Sequence, residues 1–200
     1  MSEKPRLRIG VLGSGKGSTF AAIADARATG RLPVEISLVL SDVADAGILE
    51  QARRRGIPAQ HIAPGDYRTK LDENAEAAFI ETLRVARVDL IVLAGFMRIL
   101  KGDFLRAFTN RVINIHPSLL PSFTGLAAWK QALEYGVKIT GCTVHLVDQG
   151  IDTGRILGQS AVPVLPEDSP DSLRHRIQET EQTLYPEILR QIALGEIKLG

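Results

Sequence analysis

The sequence predicts an α/β fold, a mostly parallel central sheet flanked by helices and finished by antiparallel C-terminal strands. Three observations predict it. Continuous apolar runs of strand length alternate with amphipathic helices through the first half, and strands that are apolar throughout belong to parallel sheets covered on both faces. A glycine-rich turn, Gly13-Ser14-Gly15-Lys16-Gly17-Ser18, separates the first run from the first helix. After Pro121 the pattern changes to two strands joined by a short polar connection, which suits antiparallel neighbours rather than a crossover.

Taken in order, residues 7–12 form the first strand, and 18–29 a helix that Gly30 ends. Strand 34–40 precedes helix 46–55, which Gly56 stops. Arg53, Arg54 and Arg55 lie in its last turn, where positive charge complements the helix dipole. A short strand over 59–63 leads into a long helix over 69–86. Residues 89–94 (DLIVLA) are another apolar strand, 102–108 a short helix, and a strand starting at Val112 closes the series. Beyond Pro121, residues 126–135 are helical up to Gly136, and strands follow over 139–147 and 156–164. A final helix covers 169–193, with Asp168 or Ser169 as N-cap and a kink at Pro186. No linker or repeat divides the 200 residues, so one domain is expected.

Composition excludes several classes. With 24 basic and 23 acidic residues the net charge is +1, which gives no electrostatic footprint for nucleic acid. The single cysteine, Cys142, permits neither an internal disulfide nor a thiolate cluster. Residues 1–8 are polar and charged, and no apolar run of membrane-spanning length follows. A reducing, cytoplasmic setting and no membrane partner are the expectation.

The chemistry concentrates in Val112-Ile113-Asn114-Ile115-His116-Pro117. Strand side chains alternate faces, so Asn114 and His116 share one face about 6.5 Å apart. Pro117 keeps His116 extended. An amide donor beside a titratable imidazole suits a reaction that develops charge on an oxygen. The plain alternative is a strand end with a capped loop.

The glycine turn opens a helix, where free N–H groups and the positive dipole end attract a phosphate. A dinucleotide fingerprint needs glycine at position 18, which is serine; a phosphate-loop lysine motif needs a hydroxyl at 17, which is glycine. A single phosphate held by backbone and hydroxyls is one reading, a structural tight turn the other. Asp42, ending the second strand, is a ribose ligand or a loop cap. Phe96, Met97, Ile99 and Leu100, with Arg98, are an apolar ligand wall or a core cap. Asp152, in the late loop, is a turn residue or a partner that favours a protonated His116. His145 reads as structural, while His61 and His175 read as surface residues. No histidine pair has zinc spacing, and Ser118 has no nucleophile-elbow context.

These segments in this order resemble phosphoribosylglycinamide formyltransferases: GSGKGS at 13–18, LAGFMRIL at 93–100, NIHPSLLPSF at 114–123, GCTVHLVDQGIDTG at 141–154 and QETEQTLYP at 178–186. The resemblance implies a single-domain Rossmann-like formyltransferase fold, with a phosphate-binding half over about 1–110 and a folate and catalytic half over about 111–200. It implies transfer of a formyl group from 10-formyltetrahydrofolate, as co-substrate, to the amine of glycinamide ribonucleotide, with no metal. Asn114, His116 and Asp152 match the catalytic trio. Gly17, Ser18 and Thr19 match the phosphate loop, and Glu181 the ribose contact. Met97, Arg98, Ile99 and Leu100 match the folate wall, to which Asn114 contributes, and Arg68 matches an arginine meeting the folate's glutamate tail. Small-molecule substrates are the implied partners of a monomer or homodimer.

The chain departs from the family pattern in places. Thr19 stands where asparagine is frequent, Ala127 and Ala128 where some members carry histidine, and Arg155 where proline is usual. Rival readings are a formyltetrahydrofolate deformylase, which needs a further N-terminal domain, and a methionyl-tRNA formyltransferase, which needs a C-terminal domain and a basic face. An inactive nucleotide-binding module and a nicotinamide oxidoreductase complete the set.

Overall fold

The computed structural model describes residues 6–200. Residues 1–5 of the polar stretch read above lie outside them. Seven strands form one sheet in the order β3-β2-β1-β4-β5-β6-β7. The parallel part comprises β1 (Leu7–Leu12), β2 (Val34–Ser41), β3 (Ala59–His61), β4 (Leu90–Leu93) and β5 (Val112–His116). Then β6 (Ile139–Leu146) pairs antiparallel with β5, and β7 (Ile156–Pro163) antiparallel with β6. The strand order reverses between β1 and β4, so the loops after these two strands flank the crevice where open α/β sheets bind ligands.

Helices cover both faces: α1 (Ser18–Ala28), α2 (Gly47–Arg54), α3 (Glu73–Val85), α4 (Gly102–Ala107), α5 (Ala128–Tyr135) and α6 (Pro170–Leu194). One core layer joins Ile9, Val11, Val92, Ile113 and Val144 to Phe20, Ile48 and Tyr185 of α1, α2 and α6. The other packs Leu12, Leu40, Ile91 and Leu93 on Phe79, Leu83 and Phe104 of α3 and α4. The fully buried Tyr185 hydroxyl lies 3.1 Å from the carbonyls of both Leu93 and Ile113, so α6 is pinned to β4 and β5.

Most predicted boundaries hold within two residues; two helix starts are corrected. The helix expected from 69 begins at Glu73, because Asp72 caps it by accepting from the Ala75 N–H at 2.7 Å. Thr69 and Lys70 are instead drawn out beside Ile99. The helix expected from 126 begins at Ala128, since Ala127 adopts φ 54°, a left-handed conformation that no helix interior accommodates. Ser169, rather than Asp168, caps α6 in a capping box with Ser172, and the helix runs through Pro186 without breaking.

Candidate active site

The register of β5 on β6 sets Asn114 opposite His145, and His116 opposite Thr143. All four share one sheet face, and the connection from β6 to β7 folds back over it carrying Asp152. His116 Nδ1 lies 3.3 Å from Asp152 Oδ2. Its Nε2 lies 2.8 Å from the Phe123 carbonyl. Both neighbours accept hydrogen bonds, so the ring meets both only when each nitrogen carries a proton. The same Asp152 oxygen accepts from the Gly125 N–H at 2.8 Å, which anchors the acid to the loop ahead of α5. Asp152 itself sits at φ 56°, a region that aspartate and asparagine tolerate better than most residues.

His145 lies on its strand as a buried, hydrogen-bonded residue, and its contact with Asn114 and Asp152 is what the sequence did not show. It is 2 % exposed, its Nδ1 donates to the Leu146 carbonyl at 2.8 Å, and its Nε2 lies 3.3 Å from Asn114 Nδ2 and 3.7 Å from Asp152 Oδ1. With Nδ1 protonated, Nε2 accepts from the Asn114 amide and fixes which end of that amide points which way. Burial pushes the His145 pKa down, against the raising influence of the Leu146 carbonyl and the Asp152 carboxylate. A signal was present in GCTVHLV: Thr143 and His145 alternate with Cys142, Val144 and Leu146, marking a polar face.

The glycine turn presents the start of α1. Gly17, at φ 81°, occupies the N-cap without a side-chain bond to the helix, and a Cβ there would lie 2.8 Å from the Ile48 Cα. Only glycine fits on both counts. Ser18 accepts a hydrogen bond from Gln178 of α6 at 2.7 Å, while Thr19 is buried. Glu181, partly buried one helical turn beyond Gln178, has its pKa raised from 4.5 to about 7 by burial, with the Arg174 charge opposing. Gln178 escaped the sequence reading.

The other predicted ligands divide. Met97 and Ile99 are 64 % and 41 % exposed, as an open apolar wall requires, whereas Leu100 belongs to the core beneath α3 and α4. Arg68 is exposed. Asp42 is not presented to a ribose; its buried carboxylate holds Arg98 and Ser14. Ser118 donates to the Ser122 carbonyl and is fully buried, consistent with a structural role. His61 and His175 lie at the surface. Arg155, at the family's proline position, donates to the Lys198 carbonyl at 2.6 Å. Among the described residues no group of three or more histidine, cysteine or acidic side chains could hold a metal, and no helix is long and apolar enough to cross a membrane.

Sheet order and side-chain cluster define a Rossmann-like α/β domain in which Asn114, His116, His145 and Asp152 meet where the sheet turns from parallel to antiparallel. Residues 7–189 match the formyl transferase family model, and the chain belongs to that family. It is 38 % identical over 185 residues to a phosphoribosylglycinamide formyltransferase of Bacillus subtilis, covering 92 % of this chain and 94 % of that one. It is 44 % identical over 197 residues to the trifunctional purine biosynthetic protein adenosine-3 of Drosophila melanogaster; this match covers 98 % of the chain but 14 % of that longer protein. A crystal structure of glycinamide ribonucleotide transformylase 1 from Symbiobacterium toebii superposes with a TM-score of 0.91 at 49 % identity, covering 96 % of this chain and 90 % of that one.

Proposed function

We propose that the protein transfers the formyl group of 10-formyltetrahydrofolate to the amine of 5-phosphoribosylglycinamide, a step of purine synthesis. The observation that carries this reading is the meeting of Asn114, His116 and Asp152 within one cluster, in a member of the formyl transferase family. The amine attacks the formyl carbon, a C–N bond forms to it, and the bond from that carbon to the folate N10 breaks. One proton leaves the amine and one reaches N10. No enzyme nucleophile is needed, in keeping with the buried, internally bonded Ser118.

Each side chain has a defined task in this scheme. Negative charge grows on the formyl oxygen as the amine adds. Asn114 has one amide N–H on His145 and a second to offer that oxygen. The His116 Nε2–H faces the Phe123 carbonyl and turns to the oxygen once the donor replaces that contact. Asp152 balances the imidazolium charge and relays the amine proton. Each oxyanion donor of this kind contributes about 3 kcal/mol to the transition state.

The ribonucleotide phosphate seats on Gly17, Ser18 and Thr19 at the start of α1, where N–H groups converge and Ser18 and Thr19 add hydroxyls. Glu181 accepts from the ribose hydroxyls. Met97, Ile99 and the backbone about Leu100 wall the pterin with Arg98 behind them, while Arg68 supplies charge toward the glutamate tail. Both halves of the chain therefore serve each substrate. The exposed Met97 and Ile99 side chains beside the cluster support the donor reading.

The test mixes purified protein with glycinamide ribonucleotide and 10-formyltetrahydrofolate and follows the folate absorbance. Turnover should require both compounds. His116→Ala should lower kcat by about 10²–10⁴-fold while ribonucleotide still binds in calorimetry. Unchanged turnover in that variant, or hydrolysis of the donor with no ribonucleotide present, defeats the reading; the second result would mark a deformylase.

A further inference from the structure

Asp42 and Arg98 stand 56 residues apart in sequence, yet they form the most buried arginine–carboxylate pair at the crevice. Their side chains are 2 % and 17 % exposed. Asp42 Oδ2 accepts from Arg98 Nε at 2.7 Å, and Oδ1 accepts from the Ser14 hydroxyl at 2.5 Å. Ser14 in turn accepts from the Met97 N–H at 2.9 Å. Arg98 Nη1 donates to the carbonyls of Tyr67 and Arg68, each at 2.7 Å. One carboxylate thus ties together the glycine turn, the exposed wall at Met97 and the connection ahead of α3.

Stability is a poor explanation for such a pair. Taking two charges out of water costs nearly what their attraction returns, and apolar residues of similar volume often serve stability better. What a planar guanidinium offers is direction: Nε and Nη1 donate along fixed lines that no lysine reproduces. Here those lines run to Asp42 on one side and to two successive carbonyls on the other. The consequence is a fixed placement of the Arg68 backbone, hence of its exposed side chain, relative to Met97 and Ile99.

We propose that Asp42 is a positioning residue for the formyl donor, setting the Met97–Ile99 wall and the Arg68 loop through Ser14 and Arg98. This rests on the functional reading above and deepens its donor side. Asp42 lies beneath the surface that ligands meet and acts only through these neighbours.

Steady-state kinetics of wild type, Asp42→Ala and Arg98→Lys test it, with 10-formyltetrahydrofolate and with the same donor lacking its glutamate. Asp42→Ala should raise KM for the intact donor about tenfold, the scale of one hydrogen bond to a charged group. The KM for the donor without glutamate should rise by less, about threefold, and the ribonucleotide KM and kcat should stay within about twofold. Arg98→Lys keeps a cation opposite Asp42 but loses the two carbonyls, and should show the same donor-selective loss; it decides the matter alone should Asp42→Ala fail to fold. Equal losses for donor and ribonucleotide, or an unchanged donor KM, overturn the positioning role while leaving the function intact. A wild-type protein with no turnover of either donor overturns the functional reading and this inference with it.

Discussion

Replacing Glu181 with glutamine removes a carboxyl whose pKa the folded protein raises from 4.5 to about 7. Burial is the cause, and the Arg174 charge only partly opposes it. The sign follows from proton counting. Between pH 4.5 and about 7 the native protein keeps this proton while the unfolded chain has released it. The native state then binds more protons, so stability falls as pH rises through that window and levels off above it. Across this gap the loss is on the order of 3 kcal/mol, at about 1.4 kcal/mol per pH unit. Glutamine carries no such proton. Urea unfolding from about pH 5 to pH 8 should therefore show the variant gaining on wild type by up to about 3 kcal/mol. Comparing the two proteins cancels His145, whose lowered pKa works the other way: below its unfolded value of 6.5 the unfolded chain takes up a proton that the native ring refuses, and stability falls with falling pH. A stability difference that stays flat over the whole range refutes the reasoning. Ribonucleotide binding supplies a second reading of the same group. Hydroxyls donating to Glu181 favour its ionised form, so wild-type affinity should climb more steeply toward pH 7 than that of Glu181→Gln.

Three further outcomes follow from the packing. His145→Leu removes the acceptor for the Asn114 amide, and should cost about 1–3 kcal/mol of stability and lower kcat more than either KM, read by urea unfolding and steady-state rates. Asp152→Asn keeps a residue that tolerates φ 56°, so its melting temperature should stay near wild type while kcat falls about 10²–10⁴-fold. Tyr185→Phe should cost about 1 kcal/mol, because one buried hydroxyl proton shared between the Leu93 and Ile113 carbonyls is lost; an unchanged unfolding midpoint would show that the contact contributes nothing.

The strands were legible because each carries its own record. Residues 90–93 are apolar without interruption, and residues 112–116 are apolar except at Asn114 and His116; such runs read as strands where helices separate them. Helix starts were less so, since periodicity extends past the residue that caps. Asp72 and the left-handed Ala127 decide where α3 and α5 begin, and both are conformational facts that an apolar pattern does not encode. The trio could be named from sequence, but not its surroundings. Asn114 and His145 are 31 residues apart and meet only through the β5–β6 register, while Gly125 and Asp152 meet through two loops. Asp42 shows a different limit: a polar residue at a strand end fits a ribose ligand or a loop cap, and its bonds to Arg98 and Ser14 exist only in the assembled fold.

The position of the cluster is a consequence of topology. Parallel strands deliver their following loops to one edge, so the Gly13 turn after β1, the Gly95–Leu100 segment after β4 and Pro117 after β5 all arrive together. A sixth parallel strand would bring only another loop to that edge. Reversing the direction at β6 does something different. It lays His145 flat against Asn114 and sends the next connection back across the sheet face, where Gly154 packs so closely that a Cβ would stand 1.8 Å from the Leu146 carbonyl oxygen. That tight return turns the chain back so that Asp152 reaches His116. The acid therefore exists as a partner only once β6 has paired with β5, which makes the assembled cluster depend on non-local strand pairing rather than on any one segment.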